Sequence, residues 1–77
     1  MRRTWKRALY TTELLSNPEE GRIALELHKR DGDQNAIAAR VVYWDAEGQF
    51  SLEAFCELPL EIVDELIAEA RDAVKTE

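Results

Sequence analysis

At 77 residues the chain is long enough for one domain, residues 1–77, and too short to bury more than roughly 60–65% of its unfolded surface. Its 45% hydrophobic and 34% charged residues are those of a globule, not a disordered chain, and no apolar run nears the ~20 residues that span a bilayer. A net charge of −6 argues against a bulk polyanion binder, because phosphate contacts need local positive potential.

The first strand is expected from about Thr4 to Leu15, where Thr, Trp, Tyr and Leu favour extended backbone, and Ser16-Asn17-Pro18 stops it. The bases ahead of it, in MRRTWKRALY, have no apolar core and cleavage site behind them, so no signal peptide is expected. Strand alternation over RRTWKR would put Arg3, Trp5 and Arg7 on one side and Thr4, Lys6 and Ala8 on the other. Bases interleaved with an aromatic suit a phosphate-and-stacking site, whereas a solvated terminus has the same composition for no functional reason.

Arg22 to Arg30 reads as the second strand. Ile23, Leu25 and Leu27 alternate with Arg22, Glu26 and His28, and Asp31-Gly32-Asp33 is a turn. His28 is lone, with no Cys or carboxylate at ligand spacing, so it reads as a surface histidine and no metal is expected. The third strand, Ala36 to Trp44, places Ile37, Ala39, Val41 and Tyr43 opposite Ala38, Arg40, Val42 and Trp44. Asp45-Ala46-Glu47-Gly48 is the hairpin loop to a fourth strand, Gln49 to Leu58. There Phe50, Leu52, Ala54 and Cys56 oppose Ser51, Glu53, Phe55 and Glu57.

A helix follows from Pro59. Leu60, Val63, Ile67, Ala70 and Val74, widened by Ile62, Leu66 and Ala73, give a broad apolar stripe. Glu61, Asp64 and Glu65 suit its N-terminal end, and Arg71 and Lys75 its C-terminal end. The acids Glu61, Asp64, Glu65, Glu69 and Asp72 are expected on its outer, solvated side, although Glu61/Glu65 and Glu65/Glu69 are like-charge pairs at a mildly unfavourable spacing.

These elements predict an α+β domain, ββββα, a four-stranded antiparallel sheet with one C-terminal helix on one face. Ile23, Leu25, Leu27, Ile37, Val41, Tyr43, Phe50, Leu52 and Cys56 are expected beneath the helix. Trp44 then goes to the other face with Arg22, His28, Arg30, Arg40, Val42 and Phe55. That second face is more apolar than a solvated face should be, so a covering partner is expected. Trp44 and Phe55 there suit either stacked bases or the centre of a protein interface.

The run Tyr43-Trp44-Asp45, then Glu47-Gly48, Leu58-Pro59, Leu66-Ile67 and Asp72-Ala73-Val74 resembles the positive cofactor four family of single-stranded nucleic-acid-binding transcription coactivators. The resemblance covers mainly residues 40–75. It implies a non-catalytic homodimer formed through the helices, whose sheets present bases and aromatics to single-stranded DNA or RNA. On that reading Arg3, Trp5, Lys6 and Arg7 supply a charged edge, Arg22, Arg30 and Arg40 contact phosphates, and Trp44 and Phe55 stack. In place of the family's basic, glycine-bearing stretch before the last strand stands Gln49-Phe50-Ser51-Leu52-Glu53, with no positive charge.

The rival is a homodimeric protein-interaction module, its acidic surface a possible imitation of nucleic acid. Charge is split: residues 1–44 carry eight Lys/Arg against six Asp/Glu, and residues 45–77 two against ten. A nucleic-acid role therefore needs a basic face built from the first half and segregated from the acidic tail. An enzyme is not expected. Cys56 has only His28 as a possible base, and no phosphate loop, paired CxxC or dinucleotide fingerprint calls for a cofactor. A single cysteine fits a reducing cytoplasm.

Overall fold

Five strands form, one more than the periodicity predicts. The computed structural model describes residues 1–74. β1 (Arg2–Trp5), β2 (Ala8–Asn17), β3 (Arg22–Asp31), β4 (Gln34–Trp44) and β5 (Gln49–Ala54) pair as one antiparallel meander, and α1 (Leu60–Ala73) follows. The expected first strand is broken in two because Trp5 pairs with Ala8, leaving Lys6 and Arg7 as a two-residue turn. Lys6 takes φ 54°, a left-handed conformation that glycine or asparagine would normally signal. Neither residue stands there, so nothing local announces the turn. It also takes Arg7 off the side of the strand assigned to it with Arg3 and Trp5. At the β4–β5 loop Gly48, at φ 63°, supplies the expected left-handed residue, and its N–H donates to the Trp44 carbonyl at 2.9 Å.

Register decides which side chains share a face. On the helix side, Leu14, Leu25, Val41 and Leu52 form one row across β2 to β5, and Thr12, Leu27, Ala39 and Ala54 the next. α1 lies on these rows. Its buried line is Ile62, Leu66 and Ala70, against Tyr10, Leu25, Leu27, Ala39 and Val41. Leu27, Ile62 and Leu66 are fully enclosed. Each such side chain contributes about 1.5–3 kcal/mol by leaving water. Leu60, expected in the stripe, is 79% exposed, because the line of burial passes through Ile62 and Leu66 instead. Pro59 caps the helix with extended backbone (ψ 138°), and Lys75, expected at its cationic end, lies outside the described residues.

One helix is too narrow for its sheet. In the row Leu14–Leu25–Val41–Leu52 the central Leu25 and Val41 are buried, while Leu14 on β2 and Leu52 on β5 are exposed. Phe50, also expected beneath the helix, is exposed as well. Tyr43 is buried, its ring 4.9 Å from that of Phe50. Two further expectations fail for local reasons. A register shift at Leu27/His28 pairs Ile37 with His28, so Ile37 turns to the face away from α1 and is exposed. β5 ends at Ala54, and Cys56 lies exposed in the crossing to α1. Among the described residues no helix is long and apolar enough to cross a membrane.

Candidate binding face

The face of the sheet turned away from α1 is built by the same register. Its end row is Asn17, Arg22, Trp44 and Gln49, followed by Leu15, Ala24, Val42 and Ser51, then Glu13, Glu26, Arg40 and Glu53. Below these lie Arg2, Thr11, His28 and Ile37, and then Thr4, Leu9, Arg30 and Asn35. Cross-strand neighbours on one face sit close enough for their side chains to touch. Two stacked pairs result. The Arg22 guanidinium lies 5.4 Å from the Trp44 ring, and that of Arg40 lies 5.6 Å from Phe55. Beneath them Ala24 and Val42 are buried although no second layer covers this face, because the long stems of the arginines and Trp44 enclose them.

The arginines are not equally available. Arg40 donates from Nη2 and Nε to one oxygen of Glu26 at 3.1 and 3.3 Å, and its Nη1 is 3.7 Å from Glu53. Its charge is therefore committed within the sheet. The Arg22 Nε is buried without a hydrogen-bond partner, and its side chain lines a cleft of about 510 Å³ with Leu15, Asn17, Glu26 and Arg40. Arg30 is exposed and donates to the Gly32 carbonyl at 3.3 Å. Three carboxylates, Glu13, Glu26 and Glu53, stand among the arginines of this face. Glu13 joins this face only through the β2–β3 register, which pairs it with Glu26.

The N-terminal set assigned to a charged edge is divided by the fold. Arg3 faces α1, where it donates to Glu61 at 3.0 Å and to Glu65. Trp5 packs beside the core, with the Arg3 guanidinium 5.7 Å from its ring. Lys6 and Arg7, together with Trp5, line an open cleft of about 690 Å³ with Tyr10, Lys29 and Leu58. The set is thus not one basic edge alongside Arg22, Arg30 and Arg40.

Of the helix acids, Asp64 and Asp72 are exposed as expected, whereas Glu61, Glu65 and Glu69 reach over β1 and β2, Glu61 while still largely exposed. Glu69 accepts from the Thr12 hydroxyl at 2.6 Å, beside the Arg3 contacts to Glu61 and Glu65. The unfavourable four-residue spacing of these acids is offset by the strand they hold.

One cluster went unrecognised in the sequence. His28 Nε2 lies 3.4 Å from Glu26 Oε1 and 3.6 Å from Glu13 Oε2. Two residues apart on a strand, Glu26 and His28 necessarily share a face, and that alternation was the available signal. Glu13 comes from the neighbouring strand. No family model matches the chain, nor does any curated protein or solved structure, so its residues alone carry the functional reading.

Proposed function

We propose that this chain is a non-catalytic interaction module that works as a homodimer and receives a protein ligand on its open sheet face. The observation that carries the reading is β5. All six of its residues are exposed, Phe50 and Leu52 are among the large apolar ones, and its outer backbone edge has no paired strand. Sheet edges are ordinarily guarded by lysine, proline, a bulge or brevity. β5 has none of these, and its single charge, Glu53, is turned toward Arg40.

A second copy is the occupant that fits. Antiparallel pairing of two β5 strands about Leu52 sets Leu52 against its equivalent, Phe50 against Ala54 and Ser51 against Glu53, with no like charges opposed. The small groove beside it, lined by Val41, Phe50, Leu52, Ile67 and Ala70, takes side chains from the partner. Pairing also completes the burial that a chain of this size cannot reach alone.

The open face suits a protein ligand because Trp, Arg and Phe are enriched at interface centres, while the interleaved glutamates repel phosphate. A second reading, single-stranded DNA or RNA on the same face, is favoured by the Arg22–Trp44 stack with its unpaired Nε.

Light scattering on the eluting protein, from micromolar to millimolar concentration, tests the dimer. The wild type is expected at twice its chain mass and Leu52→Lys at one chain mass with an unchanged circular dichroism spectrum. A wild type that stays at one chain mass throughout overturns the proposal. Tryptophan fluorescence of the same samples, titrated with a mixed-sequence single-stranded oligonucleotide, decides the ligand class. Salt-sensitive quenching lost in Trp44→Ala makes the ligand nucleic acid, and its absence at low salt removes that reading.

A further inference from the structure

The middle of the open face holds an arrangement that the interaction reading does not use. Glu13 and Glu26 are direct cross-strand partners, two like charges facing each other where such pairs are destabilising. The cation nearest to them, Arg40, binds Glu26 through Oε2 and leaves Oε1 free. Oε1 points instead to His28, whose Nε2 is buried and makes no hydrogen bond. The ring as a whole is 36% exposed, but this nitrogen is covered, and its two near neighbours are carboxylate oxygens that do not satisfy it.

We infer that Glu13, Glu26 and His28 form a divalent-cation site whose best-fitting occupant is Zn²⁺. The ligand atoms all lie within 4.8 Å of one another. Tetrahedral zinc, with bonds of about 2.0–2.2 Å to nitrogen and oxygen, sets its ligands about 3.4 Å apart. The separations from His28 Nε2, 3.4 Å to Glu26 and 3.6 Å to Glu13, match that edge. They are longer than a good charge-assisted hydrogen bond, so a direct ion pair explains them less well. One nitrogen and two carboxylate oxygens suit zinc better than calcium or magnesium, which take oxygen cages. Arg40 is a positioning residue: by holding Oε2 it fixes the rotamer that aims Oε1 at the site.

The chemistry has two consequences. The cation neutralises the opposed carboxylates and ties β2 to β3 at mid-sheet. With three protein ligands it also keeps a fourth position open toward solvent, where a water or an acidic group of a docking ligand binds.

The test uses the full chain with Cys56→Ser, since the exposed thiol is the obvious competing ligand. Zn²⁺ is titrated by calorimetry, and Co²⁺ by the visible absorption of tetrahedral cobalt. One equivalent is expected per chain, with affinity weakened by about 100-fold or more in His28→Ala and Glu13→Gln, as loss of a direct ligand outweighs loss of an outer partner. Zinc should raise the thermal midpoint of the parent and leave that of His28→Ala unmoved, a readout independent of any ligand. Equal uptake in the parent and His28→Ala, or no uptake by millimolar cation, overturns the site. Circular dichroism of each variant separates ligand loss from misfolding, and Glu13→Gln, on an exposed side chain, keeps the test decisive if His28→Ala unfolds.

Discussion

The two edges of this sheet follow opposite rules. β1 is four residues long, carries Arg2 and Arg3, and is held from above by Glu61 and Glu65 of α1. β5 is six residues long and exposed throughout, and the helix leaves its Phe50 and Leu52 uncovered. The buried line of the helix, Ile62–Leu66–Ala70, sits on Tyr10, Leu27 and Val41, and its flanking acids meet Arg3 and Thr12. A single helix on a five-stranded sheet must leave something bare, and among the described residues its polar ties go to the first edge and none to β5. The guarded edge serves the monomer; the bare one is where assembly is to be sought.

Replacing Leu66 by Ala breaks the comparison most severely, because it loosens the hold of α1 on the sheet. A fully enclosed leucine shortened to alanine should cost roughly 3 kcal/mol, read as a lower urea midpoint. Arg3→Ala sharpens the contrast. It leaves the core intact and removes only the tie to the first edge, so the loss should be about 1 kcal/mol and shrink in molar salt. Were the two losses equal, the ion pairs and not burial would hold the helix. Lys6→Gly has the smallest effect and the opposite sign. It relieves a left-handed φ of 54° and should stabilise the β1–β2 hairpin by about 0.5–1 kcal/mol, seen as a higher thermal midpoint.

Much of this fold can be read from local pattern. The period-2 alternation of Arg22 to Arg30 and of Val41 to Trp44, the glycine-bearing loop before Gln49 and the 3.6-residue stripe from Ile62 to Ala70 act over one element each. The sequence accordingly supports the α+β class, the single helix and the separation of Tyr43 from Trp44. Arg22, Arg40, Trp44 and Phe55 could be assigned to one face for the same reason. Two strands form where the periodicity predicts one first strand, because the turn between them, Lys6-Arg7, uses residues that carry no turn signal.

The tertiary structure alone decided the rest, and the physical reason is register. The faces of β2 and β3 are periodic separately, yet nothing in either strand fixes which residue of one lies opposite which of the other. Only the pairing of Glu13 with Glu26, and of Thr11 with His28, brings two carboxylates and an imidazole together across fifteen residues of chain. Likewise Arg3 could be counted as a free base until α1, some sixty residues later, was laid over β1 and its acids closed on that side chain. Local periodicity specified the elements and their faces; long-range packing decided which charges were neutralised and which were left exposed.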